Sequence, residues 1–147
     1  MGQVGSPVDL AASVGYRVKH ASSALHAAME AVLRPLGMNI TQYSCLELLA
    51  LRPGLSNAEL ARGAFVTRQS MNVLLQALER DGSVTRPPVA PVGRALPAEL
   101  TPLGRQRLAA ASAAVRAVED RMRAGLDEAE AQQLAALLDR CVEGLQG

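Results

Sequence analysis

Between Thr67 and Asn72 the chain gathers Thr67, Arg68, Gln69, Ser70 and Asn72, a run of polar side chains with well-defined hydrogen-bonding chemistry. A guanidinium presents a planar fork of donors that fits the acceptor edge of guanine. The carboxamides of glutamine and asparagine pair a donor with an acceptor as the edge of adenine requires, and hydroxyls bond phosphate oxygens. Thr67 suits a helix cap, which puts Arg68, Gln69 and Ser70 in the first turn, where amides point outward and the helix dipole is positive. The same residues also fit an ordinary polar first turn behind a cap. Upstream, Ser56-Asn57-Ala58-Glu59 reads as a capping box and opens another helix, so Ser56 joins the candidates for backbone contact. Downstream, Arg94 follows Gly93 in a proline-rich loop, where a guanidinium is drawn by the negative potential of a narrow minor groove. Arg86 is a candidate for phosphate contact or for a surface ion pair.

Charge is distributed to match. The 147-residue chain carries a formal net charge of only +1, too small to mark a nucleic-acid binder. Yet Arg52 to Arg107 holds eight arginines against four acids, while the residues before it balance at three of each sign and those after it carry four basic against seven acidic groups. The basic surplus therefore coincides with the segment that holds the candidate base-contacting side chains.

These residues need elements to hold them. Apolar side chains recur in steps of three and four from about Val8 to Leu33, which predicts a long amphipathic helix ending or kinking at Pro35 and Gly37. Thr41 is the expected cap of a second helix to about Leu51, stopped by Pro53-Gly54. A short third helix should run to about Gly63. A fourth opens at Thr67, with Met71, Leu74, Leu75 and Leu78 on its core side, and ends at Gly82. Prolines at 87, 88, 91 and 97 interrupt the helical period, and two short strands are expected near Val84 to Arg86 and Arg94 to Leu100. Thr101-Pro102 and Asp127 to Glu130 then cap two C-terminal helices, the first apolar at Leu108, Ala111, Val115, Val118 and Met122 and the second at Leu134, Leu138, Cys141 and Leu145. The fold class is mainly α with a small β-hairpin. Terminal helices with more apolar stripe than one subunit can cover call for a homodimer.

Several functions are disfavoured. No nucleophile-base pair, paired carboxylates or phosphate loop stands out, so enzyme activity, a metal and a cofactor are not expected. With only Tyr16, Tyr43 and Phe65 aromatic, the core must come from Leu, Val, Ala and Met. No apolar run approaches membrane-spanning length and no basic stretch with an apolar signal core opens the chain, so a soluble, cytoplasmic protein is expected. Cys45 and Cys141 lack metal-ligand spacing. Both fall in apolar surroundings, where a buried thiol is inert, against the alternative of a thiol-redox switch.

Taken in order, Ser56-Asn57-Ala58-Glu59-Leu60-Ala61, Val66-Thr67-Arg68-Gln69-Ser70, Leu78-Glu79-Arg80-Asp81-Gly82, Val84-Thr85-Arg86, Gly93-Arg94-Ala95 and Leu100-Thr101-Pro102-Leu103-Gly104-Arg105 resemble the multiple-antibiotic-resistance regulator (MarR) family of bacterial winged-helix repressors. With the flanking helices, the resemblance extends over nearly the whole chain. It implies a winged helix-turn-helix of four helices, a wing and two further helices. Residues 1–36 and 102–147 would dimerise, and residues 37–101 would bind double-stranded DNA at a palindromic operator. The fourth helix would enter the major groove and Arg94, on the wing, the minor groove. Val92 stands where family wings commonly carry an acid, so the salt bridge that stiffens the wing tip elsewhere is missing. The implied activity is transcriptional repression relieved by a small effector. Relatives that take phenolic or carboxylate compounds bind them where dimer helices meet the reading unit, which makes Arg17, His20 and Tyr43 candidate pocket residues, against the plainer reading of surface or interface side chains. A winged-helix protein-interaction module without DNA binding is the competing reading of the whole chain.

Overall fold

Ser13 sets the start of the first helix: in extended geometry, its hydroxyl accepts from the Tyr16 amide at 3.1 Å. The computed structural model, which describes residues 7–86 and 98–147, places α1 at Val14–Leu33. The expected start near Val8 is thus six residues too early. Asp9 turns the chain back on itself by accepting from the Ala11 amide at 3.1 Å, and Val8 and Leu10 stay exposed. Pro35 follows in a 3-10 turn, Arg34–Leu36, closed by Gly37 in the left-handed region at φ 70°.

α2 spans Ile40–Leu51 and is capped by Asn39, not by Thr41. Asn39 Oδ1 accepts from the Gln42 amide at 2.8 Å, and Gln42 Oε1 accepts from the Asn39 amide at 3.0 Å. Thr41 had no such partner, because Ser44 is too short to reach back as a reciprocal cap does. α3 (Asn57–Gly63) opens with the expected box, Ser56 Oγ accepting from the Glu59 amide at 3.2 Å and Glu59 Oε1 from the Ser56 amide at 3.1 Å. α4 (Arg68–Arg80) buries Met71, Leu75 and Leu78. Two short antiparallel strands follow, β1 (Val84–Thr85) and β2 (Glu99–Leu100), with Val84 opposite Leu100 and Thr85 opposite Glu99. The expected strand residues from Arg94 to Pro97 lie outside the described residues. α5 (Pro102–Arg123) and α6 (Glu128–Gln146) begin at the caps Thr101 and Asp127, as their sequences require.

The core lies where α2 to α5 converge. Leu33, Cys45, Leu46, Leu60, Met71, Leu75 and Leu78 are fully enclosed there, and Leu108 and Ala111 press α5 against them. Burial of this kind stabilises by about 1.5 to 3 kcal/mol per large apolar side chain, so it fixes how α4 is presented. The ends of the molecule differ. α6 buries no residue, and Val14, Val18, Met122, Leu134, Leu138 and Val142 are exposed on the terminal helices. A cavity of about 280 Å³ between α1 and α5 is walled by Ala21, Ala24, Leu25, Ala28, Val118 and Met122 and by Arg121.

One residue violates local preference in the turn from α3 to α4. Phe65 takes φ 60° and is 94% exposed, although a side chain in that left-handed region crowds its own carbonyl. Phe65→Gly should raise stability by about 1 kcal/mol, read as a higher urea midpoint at unchanged slope. A lower midpoint would show that the phenyl group has a packing role.

Candidate nucleic-acid interface

The site is built on the start of α4. Thr67 Oγ1 accepts from the Ser70 amide at 3.0 Å and donates to Ser70 Oγ at 3.0 Å, so these two hydroxyls close the helix end together. Arg68 and Gln69 occupy the next positions. Both are exposed, and neither side chain makes a hydrogen bond or ion pair with the described residues. Their side chains stand ahead of a capped, positive helix terminus on a helix anchored by three buried apolar residues.

The remaining expected residues serve in different ways. Asn72 accepts from Asn57 Nδ2, a direct link between α3 and α4 that holds the two helices in register. Ser56 is committed to the α3 cap. Arg86 Nε lies 2.7 Å from Glu79 Oε1, charge pairing without a hydrogen bond aligned on that nitrogen, so its cation is drawn back toward α4. Of the two alternatives for Arg86, this geometry matches the ion pair. Arg94 lies outside the described residues.

Arg107 carries a role that sequence reading missed. From α5 its Nη1 donates to Asp81 Oδ2 at 2.8 Å and to Ser83 Oγ at 2.5 Å, and Nη2 donates to the Gly37 carbonyl at 3.4 Å. It therefore ties α5 both to the end of α4 and to the turn after α1. Partial burial alone would raise the Asp81 carboxyl, but hydrogen bonds from Ser83 and Arg107 hold it below its ordinary 3.8. A depressed acid stabilises the fold above its unfolded pKa, and this contribution is lost as pH falls through the lower folded value. Asp81→Asn should therefore flatten the decline in urea midpoint between about pH 5 and pH 3. An unchanged decline would mean that other carboxylates set it.

The proposed effector residues do not gather within one chain. Arg17 and His20 are exposed on α1, roughly 20 Å along the helix axis from Leu33, where α1 enters the core. Arg17 Nη1 donates back to the Ser13 carbonyl at 3.5 Å, and the His20 ring lies 6.4 Å from that of Tyr16. Tyr43 is half-buried on α2 beside Glu47 and Ser112, and burial together with Glu47 pushes its hydroxyl up to about 12. Ser112 Oγ donates to Glu47 Oε2 at 3.0 Å, so the neighbourhood of Tyr43 is a polar seam between α2 and α5.

Of the two thiols, one matches expectation and the other departs from it. Cys45 is buried and its thiol is pushed up to about 12 by that burial, which leaves almost no thiolate to oxidise. Cys141 is exposed, because the apolar stripe it belongs to has no covering partner within the chain; its expected burial is corrected. Among the described residues no cluster of His, Cys, Asp and Glu could hold a metal ion, and no helix is long and apolar enough to cross a membrane.

Comparison with known proteins places this architecture. Residues 36–95 match the sequence model of the MarR family. The HTH-type transcriptional repressor Rv2887 of Mycobacterium tuberculosis is 40% identical over 129 residues, 88% of this chain and 93% of its own. The crystal structure of Rv2887 in complex with DNA superposes with a TM-score of 0.72 at 36% identity, covering 88% of this chain and 98% of that one. Its complex with salicylic acid gives 0.72 at 40% identity, covering 88% and 96%. The transcriptional repressor CouR bound to a 23-mer DNA duplex gives 0.83 at 26% identity, covering 95% and 99%. Identity at the level of Rv2887 over so much of both sequences, with a matching fold, leaves one assignment: the chain belongs to the MarR family.

Proposed function

We propose that this protein is a homodimeric, sequence-specific transcriptional repressor of double-stranded DNA, released from a palindromic operator by a small phenolic or carboxylate effector. The carrying observation is the pair Arg68 and Gln69, exposed and without partners among the described residues at the capped start of a rigidly packed helix. In this reading α4 of each protomer enters the major groove. Ser56, Thr67 and Ser70 position the backbone and Asn72 holds the α3–α4 register; Arg94 enters the minor groove, and Arg86, paired with Glu79, braces the hairpin against α4. Residues 37–101 form the DNA-binding unit. Residues 1–36 and 102–147 dimerise, and regulation proceeds by binding alone, without a catalysed step.

Relatives support the ligand classes. Rv2887 has been crystallised with DNA, with salicylic acid and with p-aminosalicylic acid, and CouR with p-coumaroyl-CoA. Each ligand contains an aromatic ring, and an aromatic acid would suit a pocket completed at the dimer interface, where Arg17 and His20 of one protomer can approach groups of the other. The apolar side chains left exposed on α1, α5 and α6 support the dimer. Sedimentation at micromolar concentration should give twice the 15.4 kDa subunit mass, and a clean monomer would defeat this arrangement.

Anisotropy of a labelled random-sequence duplex, titrated at rising salt, tests the DNA reading. Binding should weaken steeply with salt as condensed counterions are released. Absence of binding even at low salt would leave the start of α4 without a nucleic-acid partner and favour the protein-interaction module.

A further inference from the structure

The outward face of α4 holds one apolar residue, for which hydrogen bonding gives no use. Val73 is 60% exposed. At 100° per residue, Gln69, Val73, Gln76 and Arg80 form a ridge on the side of α4 opposite the buried Met71, Leu75 and Leu78. All four are exposed. Valine is a poor choice for such a position on stability grounds, since its branched side chain loses rotamer freedom in a helix and here packs against no core.

We infer that Val73 is a specificity-determining residue that reads the 5-methyl group of a thymine in the major groove, within two base-pair steps of the base pair contacted by Gln69. This rests on the proposed entry of α4 into that groove. An isopropyl group has neither donor nor acceptor, and thymine's methyl is the one apolar feature that the major-groove edge of a base pair displays. Side chains four apart on a helix have Cβ atoms about 5 to 6 Å apart, less than two base-pair steps of about 3.4 Å. Gln69 is suited to adenine, so together the two residues would favour an A·T-rich step within each half-site.

Duplexes that the parent protein enriches from a random pool supply the probe, with each thymine replaced in turn by deoxyuridine, symmetrically in both half-sites. For the parent, one such replacement should weaken binding by about fourfold for each methyl removed. Val73→Ala should bind the thymine duplex more weakly by a similar factor and be indifferent to that same replacement. Its thermal melting should match or exceed the parent's, because alanine is the better helix former, so lost folding cannot imitate the effect. If the parent ignores every replacement, or if Val73→Ala loses the same factor on thymine and uracil duplexes, Val73 does not read a methyl. Those outcomes leave DNA binding itself intact. Failure to enrich any duplex would overturn the DNA reading and this inference together.

Discussion

Gly104→Ala is expected to cost about 3 kcal/mol of stability, seen as a fall of roughly 10 °C in melting temperature. Gly104 sits in the first turn of α5, its amide donating to Thr101 Oγ1 at 3.0 Å. Thr101 in turn reaches back to the end of α4 and the start of the hairpin: its amide donates to the Ser83 carbonyl at 3.1 Å and its hydroxyl to the Gly82 carbonyl at 2.5 Å. These bonds draw the two backbones together. A Cβ on residue 104 would overlap the Ser83 carbonyl oxygen and approach its carbon to 2.9 Å. Backbone cannot rotate away as a side-chain tip can, so α5 would have to lift or the pairing of Val84 with Leu100 would have to open. A loss of this size is a large share of the roughly 5 to 15 kcal/mol that holds a domain folded. Gly125 is the matched control, since a Cβ there meets nothing within 4 Å and its backbone is not left-handed. Gly125→Ala should stay within about 0.5 kcal/mol of the parent. Equal melting of the two variants would show that the close approach at Gly104 is not needed.

Arg68→Ala should have the largest effect on recognition, a loss of about 1 to 3 kcal/mol per half-site, roughly 5- to 150-fold in affinity, together with relaxed preference at one base pair. The reason lies in what Arg68 does not do. It has no ion pair or hydrogen bond with the described residues, so truncation removes no contact that maintains the fold. Arg86→Ala provides the contrast. Its Nε is already 2.7 Å from Glu79, so its loss should act more through the packing of the hairpin against α4 than through base preference. Matched melts and unchanged dimerisation of Arg68→Ala would assign the lost affinity to the interface. Unchanged affinity and preference would remove Arg68 from the reading surface.

Local chemistry was the most legible part of this protein. Ser56 with Glu59, Thr67, Thr101, and Asp127 with Glu130 each satisfy helix-end amides of neighbours no more than three residues away, so the sequence pattern contains the whole interaction. Errors arose where two local signals competed. Apolar spacing continued upstream of Ser13 past the true cap of α1, and Thr41 lay beside the better cap Asn39, whose Gln42 completes the reciprocal bond. Long-range partners were hidden for a different reason. Asn57 meets Asn72 only after the turn folds α3 onto α4, and Arg107 joins Asp81, Ser83 and Gly37 from three separate segments. No spacing rule encodes such meetings. The exposure of Cys141 was also out of reach, because an apolar stripe reveals that a helix face wants cover without revealing whether its own chain supplies it. In the reading head, sequence singled out Arg68 and Gln69 by hydrogen-bonding capacity and passed over Val73, whose significance lies in its exposure.

Selection of bound fragments from a random duplex pool by the intact protein tests the central claim most directly. A dimer carrying two α4 helices related by a two-fold axis should enrich inverted half-sites with centres about one helical turn, 10 to 10.5 base pairs, or a multiple of that apart. Enrichment should fall with rising salt for all sequences, while the half-site preference persists. A pool that emerges with no shared sequence, or with single unpaired sites, would contradict a two-fold, base-reading repressor.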